Sequence, residues 1–371
     1  MNEKTAQAKE RELSARLLEE IKRLTAGRKQ PMRLMEVCGT HTVSIFRAGL
    51  RQLLPPEVEL VSGPGCPVCV TPDGYMDEAI AYAGMEDVIV ATFGDMLKVP
   101  GTSSSLAEAA ARGGDVRIVY SPLDALAIAK ENTGKKVVFL AVGFETTAPT
   151  AAAAVLTAER ENVGNFFLLP AQKLVPPAIG ALLSDEDARI DGFLLPGHVA
   201  VVTGSEKFSF LAEEYYLPGV VAGFSPTELL RGIYRLVRQV TAGEAHIENE
   251  YKSVVRPEGN PAAQKMMDRI YETCAAEWRG LGEIPDSGLR LRDEYSRFDF
   301  SAARPLDLPP APPKKSGCRC GEVLQGKILP KECRLFGTAC MPEHAAGPCM
   351  VSAEGVCAAW YKYGGGIFQY G

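Results

Sequence analysis

The sequence predicts an α/β protein: two similar parallel-sheet domains face a central cleft, and a small cysteine-rich domain follows them at the C-terminal end. Three observations support this. Short apolar runs of strand length alternate with helical segments between residues 33 and 242, the grammar of βαβ units and mainly parallel sheets. The same region repeats itself at a period of roughly a hundred residues, the size of one small domain. Six of the ten cysteines fall at Cys318, Cys320, Cys333, Cys340, Cys349 and Cys357, in a segment rich in Gly and Pro.

Residues 1–28 form an N-terminal helical unit, in which Leu13, Leu17, Ile21 and Leu24 line one stripe of a helix over residues 5–26 that Gly27 ends. Residues 29–133 form the first α/β domain, with strands at Arg33–Val37, Val58–Val61, Val88–Ala91 and Val116–Tyr120. Residues 134–245 form the second, with strands at Val137–Val142, Phe166–Leu169, Phe193–Leu195 and Val220–Ala222. The repeat aligns Val37-Cys38-Gly39-Thr40-His41-Thr42 with Val142-Gly143-Phe144-Glu145-Thr146-Thr147, each following a strand. It also aligns Tyr120-Ser121-Pro122-Leu123 with Phe224-Ser225-Pro226-Thr227, where Ser caps a helix and Pro fits its first turn. Residues 246–371 carry a helix from Asn260-Pro261 to Trp278, a Pro-rich linker from Arg304 to Pro313, and the cysteine-rich unit.

With 371 residues, 46% hydrophobic and 23% charged, the chain is an ordinary globular protein with several cores. A net charge of -6 and the lack of a basic, aromatic-studded stripe argue against nucleic acid as a partner. Met1 to Lys22 is charged throughout and lacks the apolar core of a signal peptide, and no later window is long enough to cross a bilayer. A cytoplasmic protein with no membrane partner is expected. In that reducing compartment, ten cysteines point to metal ligation or redox chemistry rather than to structural disulfides.

Two metals compete for the tail. Zinc ribbons use paired CxxC knuckles, which the tail lacks. Cys320, Cys333, Cys340 and Cys357 are instead separated by twelve, six and sixteen residues, wide loops that suit a cuboidal iron-sulfur cluster with its divergent thiolates. Spacing leaves open which four bind: Cys318 can replace Cys320, and Cys349 can replace Cys357. Cys274, among Met266, Met267 and Ile270, reads as packing.

The upstream thiols read as chemistry. Cys38 follows a strand, where open α/β sheets bind ligands, and a helix starting near Thr42 would lower its pKa and favour the thiolate. His41 could supply a proton or a second ligand. Gly63-Pro64-Gly65-Cys66-Pro67-Val68-Cys69 holds the chain's CxxC pair, with a spacing that suits a dithiol/disulfide couple, although the next helix waits until Thr71-Pro72-Asp73. Glu145 and His198 each follow a strand and are candidates for proton transfer or ligand positioning. The grammars of P-loop ATPases, Rossmann dehydrogenases, zincins and nucleophile-elbow hydrolases are absent.

Taken together, Cys38-Gly39-Thr40-His41-Thr42, Gly63 to Cys69, Gly143-Phe144-Glu145-Thr146-Thr147-Ala148-Pro149-Thr150, Pro196-Gly197-His198-Val199 and the cysteine tail resemble the hydrogenase maturation family HypD, from about residue 30 to the C-terminus. The resemblance implies a scaffold on which the Fe(CN)2CO unit of [NiFe]-hydrogenase is assembled, with a [4Fe-4S] cluster in the tail. It implies a HypC-type small chaperone that shares the iron and a HypE-type donor that brings cyanide as a thiocyanate adduct. Cys38 would then be the iron ligand, His41 its neighbour, and Cys66 with Cys69 the redox pair; outside the complex the protein is expected to be a monomer. Two other readings fit some of the residues: an iron-sulfur thiol/disulfide reductase acting on a partner protein, which leaves Cys38 and His41 unused, and a zinc-stabilised binding module.

Overall fold

Each expected strand of the α/β region is present in the computed structural model, which describes residues 3–185, 187–308 and 317–364. They are β1 (Met32–Glu36), β2 (Val58–Ser62), β3 (Val88–Thr92), β4 (Asp115–Ile118), β5 (Lys136–Gly143), β6 (Phe166–Gln172), β7 (Gly192–Pro196) and β8 (Gly219–Ala222). Their interiors are continuous apolar runs because both faces are covered by helices: every residue of β3 and β7 is buried. A short β9 (Ile247–Asn249) and a hairpin of β10 (Tyr271–Trp278) and β11 (Gly282–Leu291) complete the described strands. The N-terminal helix, Glu3–Thr25, buries Leu17 and Ile21 with Leu229, Ile233 and Leu236 of helix Pro226–Ala242.

The strands do not divide between residues 133 and 134 as expected. One parallel sheet has the order β2-β1-β7-β8-β9 and the other β4-β3-β5-β6. β3 pairs with β5 across the expected boundary, Val88 opposite Lys136, while β1 pairs with the distant β7, Leu34 opposite Gly192. The repeat explains the pattern. Matching β1, β2, β3 and β4 with β5, β6, β7 and β8 makes the two strand orders equivalent, but each repeat contributes its first two strands to one sheet and its last two to the other. Local pattern specifies strands, whereas partner choice is set by long-range packing that a linear reading does not carry.

The aligned caps form as expected. Ser121 accepts a hydrogen bond from the Leu123 amide, and Ser225 with Glu228 makes a reciprocal capping box. Asn260 caps a helix too, but that helix, Pro261–Ile270, stops short of Trp278. From Tyr271 the chain is β10, whose exposed positions alternate, paired antiparallel with β11 around a bulge between Cys274 and Ala276. Cys274 therefore lies on a strand, half-buried, rather than in a helix core.

The hairpin clasps the two halves of the molecule. The Arg279 amide and guanidinium donate to the carbonyls of Val70 and Thr71, and the guanidinium also pairs with Asp73. The Pro-rich linker is described up to residue 308; residues 309–313 of it lie outside the described residues. The tail returns to the first sheet, where helix Val356–Tyr363 packs on helix Gly39–Arg47: Phe46 and Trp360 meet edge to face at 5.2 Å, and Arg51 lies over both rings.

Candidate functional site

The carboxyl ends of β1 and β7 in one sheet and of β3 and β5 in the other converge on a cleft of about 620 Å³. Cys38 and Thr40 line it after β1, Phe93 after β3, Gly143, Phe144 and Thr146 around the end of β5, and His198 after β7. This is the strand edge at which open α/β sheets hold ligands, presented here twice and face to face.

Cys38 occupies the N-cap of helix Gly39–Arg47 in extended backbone geometry, 8% exposed. Burial pushes its thiol up to about 12; backbone groups of His41 and Thr40 oppose the shift, and the charges of Glu354 and Glu36 add to it. The expected lowering by the helix terminus is thus outweighed by desolvation. A ligand that binds the sulfur must displace its proton.

The loop of Cys66 and Cys69 adjoins this residue. The Gly39 amide donates to Gly65 O at 3.0 Å, and a side chain at Gly65 would come within 2.2 Å of the Cys38 nitrogen, so the two turns fit only because position 65 has no Cβ. Gly65, Pro67 and Val68 line the cleft beside Cys38. Cys66 and Cys69 themselves are 2% and 0% exposed and lie behind that wall, the Cys69 amide donating to Cys66 Sγ at 3.3 Å. Burial raises the Cys69 thiol well above its ordinary value.

The remaining candidates separate. His198 lines the cleft with its ring stacked on Phe224 at 3.9 Å. His41 does not: the helix turns its fully buried ring toward β8, where Nε2 lies 3.2 Å from the Ala222 carbonyl and Nδ1 has no partner. Burial lowers its pKa to about 4, so the imidazole is neutral. Its expected place beside the Cys38 sulfur is not observed. Glu145 also leaves the cleft, because it lies between Phe144 and Thr146 and faces the opposite way, lining a second cavity. Its Oε1 accepts the Val175 amide at 3.0 Å, and burial pushes its carboxyl up to about 7.

Glu354, a residue that sequence reasoning missed, closes the cleft from the tail. It lines the cavity, accepts a hydrogen bond from Thr40 Oγ1 at 2.7 Å and packs its backbone on Gly39. No motif marks it; only its place between Cys349 and Cys357 offered a signal. Ser352, two residues earlier, donates to Asp95 of the second-sheet side at 2.9 Å.

In the tail, Cys318, Cys320, Cys333, Cys340 and Cys357 line one small cavity whose other walls include Val323, Leu335, Phe336 and Met350. Gly347 floors it, and a Cβ there would come within 2.7 Å of the Cys318 and Cys320 sulfurs. Among the described residues no three His, Cys, Asp or Glu side chains close on a single ion. The Cys320 sulfur has that of Cys318 at 3.0 Å and those of Cys357 and Cys349 within hydrogen-bonding reach. Cys349 lies outside the cavity, fully buried, within hydrogen-bonding reach of Cys320 on one side and Cys69 on the other. A run of sulfurs thus leads from the tail cavity through Cys349 to Cys69 and Cys66.

Comparison with known proteins places this architecture in context. The family model HypD, described as the hydrogenase formation hypA family, matches residues 12–364. The hydrogenase maturation factor HypD of Escherichia coli K12 is 46% identical over 358 residues, which cover 95% of this chain and 94% of that protein. That of Rhodobacter capsulatus is 46% identical over 95% of this chain and 96% of its own length, and that of Azotobacter vinelandii 43% identical over 95% and 94%. No described helix is long and apolar enough to cross a membrane.

Proposed function

Because the chain belongs to the HypD family of hydrogenase formation proteins, we propose that it is the scaffold on which the Fe(CN)2CO unit of [NiFe]-hydrogenase is assembled, acting in the cytoplasm with a HypC-type chaperone and a HypE-type cyanide donor. One observation carries the reading: Cys38 faces a cleft shared by two strand edges, with a buried dithiol in the adjoining turn and a line of sulfurs behind it.

The cargo is a low-spin iron with strong-field ligands, for which a soft thiolate is the fitting protein donor. Cys38 supplies that sulfur, and its raised pKa keeps it a thiol until iron takes the proton's place. His198, after the neighbouring strand β7 on the same sheet edge, is the imidazole available to the cleft. His41 acts from behind, fixing the start of the Cys38 helix against β8.

Release of cyanide from an S-cyano adduct breaks an S–C bond and needs two electrons, giving cyanide and a thiolate. Cys66 and Cys69 can supply them by losing two electrons and two protons as they form a disulfide. The tail donor set suits a [4Fe-4S] cluster in kind: five thiols line one apolar cavity, which at about 10 Å³ must widen to take the group and in which a glycine at 347 adds no bulk against the sulfurs. Cys333, Cys340 and Cys357 would hold it with either Cys318 or Cys320, whose sulfurs lie 3.0 Å apart. Ligation by Cys318 leaves Cys320 facing Cys349. Such a cluster supplies single electrons.

The thiol/disulfide reductase reading requires a partner's disulfide to reach Cys66 or Cys69. Both are buried under the cleft wall and the tail, which favours an internal role.

Infrared spectra of the protein co-purified with its HypC-type partner test the proposal. Cyanide and carbonyl stretching bands should be present in the wild type and lost in Cys38→Ala, with the visible absorption of the tail retained. Undiminished bands in Cys38→Ala overturn it.

A further inference from the structure

The turn that carries Glu145 separates the Cys38 cleft from a second cavity of about 670 Å³, with Val202 contributing to both. Glu145 closes its inner wall. The side chain is 2% exposed, one oxygen is held by the Val175 amide, and Oε2 has no partner. A buried, half-satisfied carboxylate is costly, and the cost disappears when a donor completes it.

The rest of the lining indicates the donor's chemistry. Leu174, Pro176 and Leu289 give an apolar stretch suited to methylene groups. Asp268, Glu272 and Asp286 add carboxylates nearer the mouth, against Lys207 and Arg292. Arg292 already donates to the Asp268 carbonyl at 2.8 Å, and Glu272 is paired with Arg290 at 2.6 Å. The exposed Lys207 is the cation whose charge reaches Glu145.

We propose that this cavity binds a small organic cation with N–H donors, a guanidinium or primary ammonium group on an aliphatic stem, whose charged end completes the Glu145 carboxylate. A charge-assisted hydrogen bond to a buried carboxylate is the strongest single contact available in the cavity. The cation would restore the ionised state that burial disfavours, and Lys207 is its competitor. None of Cys38, Cys66 and Cys69 lines this cavity, so its test stands apart from the scaffold reading.

Agmatine, which carries both end groups, is the probe, titrated calorimetrically into the full chain. Binding at millimolar concentration or tighter is expected in the wild type. Glu145→Gln, which keeps the shape and removes the charge, should weaken it at least tenfold. Lys207→Ala, an exposed change, should tighten it severalfold. No binding to the wild type, equal binding to Glu145→Gln, or weaker binding to Lys207→Ala overturns the assignment; should Glu145→Gln not fold, the Lys207→Ala direction decides.

Discussion

Thr40 donates a hydrogen bond to Glu354 at 2.7 Å, so a residue of the cysteine-rich tail forms one wall of the cleft that presents Cys38. The contact ties two parts of the chain that are remote in sequence, and it does so two residues from the proposed iron ligand.

Thr40→Val should therefore cost only about 1 kcal/mol of stability, the net worth of one partly exposed hydrogen bond, yet lower the iron retained with the HypC-type partner. Chemical denaturation and iron analysis of the same preparation check both parts. Unchanged iron content would mean that the tail wall plays no part in holding the cargo.

Gly65→Ala tests the packing of the two thiol-bearing turns. A Cβ at this position meets Cys38 and Val37 backbone atoms within 2.5 Å, and backbone cannot rotate aside. A loss of about 3 kcal/mol is expected, at the upper end for overpacking. A melting temperature within a degree of wild type would show that the two turns can move apart to admit a methyl group.

Gly347→Ala tests the tail cavity. Its methyl group would press on the Cys318 and Cys320 sulfurs, and the content of the proposed iron-sulfur cluster should fall severalfold. Visible absorption together with iron and sulfide analysis measures it, and full content would remove the glycine from the argument.

Cys349→Ala leaves the cavity lining intact but interrupts the sulfur line between Cys320 and Cys69. The visible absorption of the proposed tail cluster should persist, while reduction of a Cys66–Cys69 disulfide by a one-electron donor slows at least tenfold. Alkylation of the freed thiols followed by mass spectrometry gives the rate. A rate equal to wild type places the electron route elsewhere.

Glu145 gives a pH prediction. Burial raises its carboxyl from 4.5 to about 7, so folding favours the protonated form. That contribution is whole below pH 4.5 and is lost as pH rises through 7. Glu145→Gln lacks this slope, so relative to wild type it should gain up to about 3 kcal/mol between those limits. Paired urea titrations at both ends of the range measure it; a constant difference would mean that folding leaves the Glu145 pKa unshifted.

The strands were legible because parallel strands covered on both faces are unbroken apolar runs, and the caps at Ser121, Ser225 and Asn260 because their partners are local. Pairing was not legible: β1 finds β7 through contacts that no short window contains. Residues 271–278 continued an apparent helix in composition, and only their alternation marked a strand. Within the site, Cys38 and His198 line the cleft at the strand ends, whereas Cys66 and Cys69 lie buried behind its wall. The directions of His41 and Glu145 depended on single side-chain orientations, and Glu354 on the docking of the tail.

The exchange of strand pairs between the repeats has a consequence for biosynthesis. When β1 and β2 leave the ribosome, the neighbour that completes their sheet, β7, has not been made. At usual elongation rates the delay is on the order of ten seconds. Throughout it the nascent chain carries Cys38, Cys66 and Cys69 without the tail that later covers them, so newly made polypeptide should be most vulnerable to oxidants and stray metal ions before translation ends.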